Sequence, residues 1–171
     1  SVRAFGRVLF RQGDTLSLKG ERGFYDGVTQ ILEVRKNVVL KHRNQTLYTD
    51  SLNYDRMYKN AYFFDGGKLV DGKDQLIADW GEYNTQSRQA VFYFGVKLNS
   101  GKSNIETDTL YYDAPKSQAH FKGPTTIVSN GDVVKTQDGY FDTKKDKVEL
   151  FSRSTITSKE KVITGDTLYR D

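Results

Sequence analysis

Cysteine is absent from this 171-residue chain, which also has only two prolines, two histidines, one methionine and one tryptophan. Without cysteine there is neither a disulfide framework nor a thiolate metal site, although the compartment stays undetermined. His42 and His120 fall far apart, so no zinc ligand set assembles from sequence. No apolar run approaches the roughly 20 residues of a transmembrane helix. No G-x-S-x-G nucleophile elbow occurs. The stretch "NSGKSN" around Lys102 has a superficial phosphate-loop look, but it joins strand to strand and lacks the helix N-terminus that would cradle a phosphate. No leader peptide is visible; the chain opens at "SVRAFGRVLF", already strand-like, and reads as a mature or trimmed fragment of a longer chain. The net charge of +4 gives only a mild bias towards anionic partners.

What the chain has in quantity is aromatic residues, 13% overall with 11 Tyr and 10 Phe, together with 15 glycines. That balance favours strands. The phrase "TDSLNYD" at residues 49 to 55 returns as "TDTLYYD" at 107 to 113 and as "GDTLYRD" at the end. Asp50, Asp79, Asp108 and Asp166 are separated by 29, 29 and 58 residues, and Asp26, Asp55, Asn84, Asp113, Asp142 and Asp171 follow at intervals of 29. Other columns keep their chemistry in the same register. Leu18, Leu47, Leu76, Ile105, Val134 and Ile163 form one; Leu40, Leu69, Leu98, Ile127 and Ile156 another; Val34, Phe63, Phe92, Phe121 and Leu150 a third. Ala61, Ala90 and Ala119 make a column of small residues. A fixed period of this length signals a repeat architecture.

Within a unit, Ala90, Phe92, Phe94, Val96 and Leu98 alternate with Val91, Tyr93, Gly95 and Lys97, the period-two pattern of a strand with one apolar face. Glycines cluster at mid-strand (Gly66, Gly67, Gly95, Gly123), which predicts a bend or bulge there. On the preceding leg, Leu47 and Thr49 share one parity while Leu52 and Tyr54 share the other, so the inward face changes phase near Asp50. Each unit holds two turn signals, such as "DRMYKN" and "DGKD", leaving two legs of about ten residues. The expectation is an all-β fold: an antiparallel bent β-sandwich, or β-jelly-roll solenoid, of about six 29-residue hairpin repeats and about 12 strands, forming a single domain over residues 1–171. A parallel β-helix is the alternative, disfavoured because the turns read as hairpins.

Asp50, Asp79, Asp108 and Asp166 are not read as catalytic or calcium-binding. Catalysis needs one unique constellation, and calcium needs several oxygens crowded in one loop. A short Asp capping backbone N–H groups at a kink is the structural role that fits a strand position repeated in this way. No metal and no cofactor are expected.

The same columns carry a family resemblance. "LIADWGEYNTQSRQAVFYFGVKL" (76–98) and "IETDTLYYDAPKSQAHFKG" (105–123) resemble the OstA-like (organic solvent tolerance) domain family, which includes the LptA-like periplasmic lipopolysaccharide-export proteins. The resemblance spans nearly the whole chain, with Gln137 replacing the repeated Asp and Arg170 the repeated Tyr. It implies a non-enzymatic periplasmic protein, without cofactor, whose interior receives the acyl chains of lipopolysaccharide (lipid A). It also implies end-to-end stacking, by β-augmentation, with itself or with other OstA-like bridge components. The interior-facing candidates are then Leu47, Leu69, Leu76, Leu98, Ile105, Ile127, Val134 and Ile156, with Ala61, Ala90, Ala119, Phe63, Phe92, Phe94, Val96, Phe121 and Leu150. Plain core packing explains the same columns. The competing classes are a self-assembling structural scaffold and a glycan- or nucleic-acid-binding sheet using outward Tyr93 and Lys122; on the first reading no nucleic-acid partner is expected.

Overall fold

The computed structural model describes residues 2–158 and 162–170, so Asp171 of the repeated column lies outside the described residues. The described residues run as twelve antiparallel legs. The first two are interrupted at mid-length: β1 (Val2–Phe5) with β2 (Val8–Gln12), and β3 (Leu16–Gly20) with β4 (Arg22–Asp26). β5 (Ile31–His42) and β6 (Gln45–Asp55) are continuous. Two more interrupted legs follow, β7 (Asn60–Phe63) with β8 (Gly67–Asp71) and β9 (Asp74–Ala78) with β10 (Trp80–Asn84). β11 (Gln89–Ser100), β12 (Ser103–Asp113), β13 (Gln118–Ser129) and β14 (Asp132–Asp142) are continuous. β15 (Lys147–Leu150) with β16 (Ser154–Thr157), and β17 (Val162–Gly165) with β18 (Leu168–Arg170), close the order. No helix occurs among the described residues.

Interrupted or continuous, each leg contributes to two sheets. One sheet runs β1-β4-β5-β6-β7-β10-β11-β12-β13-β14-β15-β18 through one half of each long leg. The other runs β2-β3-β5-β6-β8-β9-β11-β12-β13-β14-β16-β17 through the opposite halves. The fold is thus the bent antiparallel sandwich that the repeat predicts, and a parallel β-helix is excluded by the pairing.

The bend is written in the backbone. Register shifts fall between Arg35 and Val38, Tyr93 and Val96, Glu106 and Thr109, and Lys122 and Thr125. Phe94 and Gly95 have φ of 65° and 58°, and Gly123 has 87°, the left-handed region that glycine enters freely. This corrects the sequence reading of Phe94 as interior-facing. The two-residue bulge removes it from the inward alternation, and its side chain is 66% exposed, while Phe92 and Val96 on either side are buried.

Inside the bend, hydroxyls satisfy the carbonyls that the bulges release. Thr49 Oγ1 donates to the Gly66 carbonyl at 2.7 Å, and Thr107 Oγ1 to that of Lys122 at 3.2 Å. Ser154 Oγ donates to the Ser152 carbonyl at 2.7 Å. Most of the buried hydroxyls here find a partner, as burial requires; Ser51 Oγ, buried at the same bend, is the exception and has none. At the hairpin ends, the other Asp column does the capping. Asp55 Oδ1 accepts the N–H groups of Met57 and Tyr58, Asn84 Oδ1 those of Gln86 and Ser87, and Asp142 Oδ1 those of Lys144 and Lys145.

Candidate functional site

Between the sheets, the side chains line up in rows along the long axis. One row takes a residue from every leg: Phe10, Leu18, Leu40, Leu47, Leu69, Leu76, Leu98, Ile105, Ile127, Val134, Ile156 and Ile163 are successive cross-strand partners, buried from Leu18 to Val134 and reaching solvent at Ile163. In the facing sheet, Phe63, Gly81, Phe92, Leu110, Phe121, Gly139 and Leu150 form a second such row. Glycine occurs where neighbouring rings need space: a Cβ on Gly81 would stand 2.5 Å from Phe63 Cζ and 3.1 Å from Phe92 Cδ1. A third row alternates ring and small residue, with Tyr54, Ala61, Tyr83, Ala90, Tyr112, Ala119 and Phe141. At a strand spacing of about 4.8 Å, twelve legs make an apolar interior about 50 Å long.

Of the sequence-derived interior residues, Leu47, Ala61, Phe63, Leu69, Leu76, Ala90, Phe92, Val96, Leu98, Ile105, Ala119, Phe121, Ile127, Val134 and Leu150 are buried in this core. Ile156 is half-buried against it, and Phe94 is outside. The interior is packed around its rings: Phe63, Phe92 and Phe121 are at most 1% exposed, and a Cβ on Gly81 or Gly139 would collide with them.

The repeated Asp residues all sit at the bend. Asp50 Oδ1 accepts the Asn37 N–H at 2.9 Å. Asp79 and Asp108 stand beside Gly95 and Gly123, where a Cβ would lie 3.6 Å and 2.9 Å from their Oδ2 atoms. Asp166 is exposed and faces Arg153 at 3.5 Å. Among the described residues no group of three metal-ligating side chains forms.

Sequence reasoning missed the edge opposite the bend, where hairpin turns of the two sheets meet. The Tyr54 hydroxyl donates to Gln12 Oε1 at 2.8 Å, that of Tyr83 to Gln45 Oε1 at 3.1 Å, and that of Tyr112 to Asp71 Oδ2 at 2.7 Å. His42 Nδ1 lies 3.0 Å from the Tyr83 hydroxyl. Ser103 Oγ donates to Asp146 Oδ1 at 3.0 Å. Burial pushes all three tyrosine hydroxyls up, so they stay protonated donors. Burial, with Arg43 and Arg88 nearby, holds the His42 imidazolium below its ordinary pKa. The tyrosine column was visible in sequence; its partners were not, because Gln12, Gln45 and the pair His42 and Asp71 fall in three different columns of the repeat and share no chemistry.

A family model described as OstA-like protein matches residues 1–108. No curated protein matches. Among solved structures, the chain is distantly similar to LptH, described as the LptA-homologous periplasmic component of the lipopolysaccharide transport device from Pseudomonas aeruginosa. The two are 8% identical, with 96% of this chain and 94% of that chain covered and a TM-score of 0.30. With the family match extending over well more than half of its length, the chain belongs to the OstA-like protein family.

Proposed function

We propose that this chain is a periplasmic lipopolysaccharide-binding and transport bridge protein, which holds lipid A acyl chains between its two sheets during transfer to the outer membrane. The observation that carries the reading is the unbroken apolar row from Phe10 to Ile163, one residue per leg. A sliding acyl chain needs many similar overlapping sites, and a repeat of this kind supplies them along one axis. Burial of a methylene is worth about 0.8 kcal/mol, so an acyl chain of about 14 carbons contributes on the order of 10 kcal/mol before ordering costs. That is enough to keep lipid out of water. The role is one of binding and handover, with no catalytic step and no cofactor.

End-to-end continuation fits the same reading. β1 and β2 at one end, and β17 and β18 at the other, each have a single described partner strand. Backbone groups on such edges pair with an added strand, so another copy or another OstA-like bridge component extends the interior.

The test is binding of purified chain to lipopolysaccharide and to the same saccharide stripped of acyl chains, followed by co-elution. The acylated form is expected to bind and the stripped form not. Equal binding of both would sink the interior reading. It would favour a glycan-binding face, for which there is one observation: outward Tyr111, His120 and Tyr140 are cross-strand neighbours, with the last two rings stacked at 4.3 Å.

A further inference from the structure

The two long edges of the sandwich are built differently. At the bend, all twelve legs pass from one sheet to the other through the main chain or the short links joining paired strands, so this edge opens only by breaking the fold. At the opposite edge the legs end in hairpin turns. There the sheets are joined by the side-chain bonds of Tyr54 to Gln12, Tyr83 to His42 and Gln45, Tyr112 to Asp71, and Ser103 to Asp146. Each of these groups recovers a partner from water or a polar headgroup when the edge parts, so its opening is reversible in a way that opening the bend is not. The seam is already notched. A surface cavity of about 310 Å³ lies between Gln12, His42 and Arg43 of one sheet's turns and Lys59 and Thr85 of the other's. Among the described residues, neither Arg43 nor Lys59 forms an ion pair with a carboxylate.

We propose that this tyrosine-clasped edge is the lateral entrance of the interior: acyl chains of an anionic lipid pass sideways between the parted turns while the anionic headgroup stays at the notch beside Arg43 and Lys59. The proposal rests on the lipid-binding reading above and adds the route and the residues that control it. The packed core supports it, because an acyl chain reaches Phe92 or Phe121 only if the sheets separate, and this is the edge at which separation leaves the backbone ladders intact. The small residues Ala61, Ala90 and Ala119 between the tyrosines give a chain room to slip inward once the hydroxyls release.

Because the chain lacks cysteine, paired cysteines can be placed without background. Tyr112→Cys with Asp71→Cys, joined by a short bis-maleimide, locks the entrance; the same variant capped singly with N-ethylmaleimide leaves it free. Ser103→Cys with Asp146→Cys serves as a second lock if the first pair disturbs folding, judged by circular dichroism. Asn37→Cys with Asp50→Cys, linked in the same way, is the control at the bend. With fluorescently labelled lipopolysaccharide as the probe, the locked entrance is expected to take up lipid at least tenfold more slowly than the capped form, and the bend lock at the capped rate. Equal uptake by locked and capped forms overturns the lateral entrance and leaves the lipid-binding reading standing, with entry from the ends. No uptake by any form, including the unmodified chain, overturns the lipid-binding reading itself.

Discussion

Gly81 is as much a part of the core as the rings beside it. The space it leaves is taken by Phe63 and Phe92, so Gly81→Val forces one ring off its rotamer and is expected to destabilise the fold by about 1–3 kcal/mol in a denaturant titration. The double variant Gly81→Val with Phe63→Leu should recover much of that loss. Phe94 makes the opposite point. By sequence it extends an apolar alternation, yet it lies in the bulge with its ring in solvent, so Phe94→Ser should change stability by no more than about 0.5 kcal/mol. A loss of several kcal/mol there would mean that the bend is wrongly placed. The alternation around Phe94 was legible, and so was a bend near Gly95; that the bend takes Phe94 itself out of the inward face was not. The signal for it was Gly95 together with the variable column Lys36, Asp65, Phe94, Gly123 and Ser152, because a position that must turn the chain keeps its conformation rather than its side chain.

Hairpins and clasp carry the element-scale consequences. Asp55 caps two N–H groups of its turn, so Asp55→Ala should cost about 1–2 kcal/mol by thermal or chemical unfolding. All of these turns were readable, since Asp, Asn and Gly at fixed offsets state their own geometry. The clasp predicts a pH dependence. The folded state holds His42 neutral, with its pKa below the ordinary value of 6.5, whereas the unfolded chain binds the proton at that value. The unfolded state therefore binds more protons in this window, and stability present above about pH 6.5 is lost as pH falls through it. Arg43, Arg88, Lys59 and Asp71 face this site, the arginines deepening the effect. Asp74, raised by burial, acts in the opposite sense at lower pH, where the folded state takes up its proton first. Melting curves should show a smaller loss on mild acidification for His42→Gln than for the unmodified chain; equal losses would remove His42 from the account.

For the molecule as a whole, the period of 29 made the architecture readable before any coordinate. In-phase columns fix strand count, pairing and inward face together. Columns of Leu, Ile and Phe did not reveal whether the interior is filled or grooved, because the same side chains serve a packed core and an acyl-chain track. Nor did they reveal the clasp, whose polar partners change chemistry from one repeat to the next. An interior that is packed yet lined throughout by apolar rows, and closed by side-chain bonds alone at the edge opposite the bend, suits a ligand that replaces its contacts with equivalent ones. The most direct measurement places a photo-crosslinking residue at Phe92, which is buried, and in a second variant at Tyr93, its outward neighbour, then illuminates each with lipopolysaccharide present. The account predicts adducts at position 92 and none at 93. Adducts at 93 alone, at both positions, or at neither in a folded protein would contradict an interior lipid site.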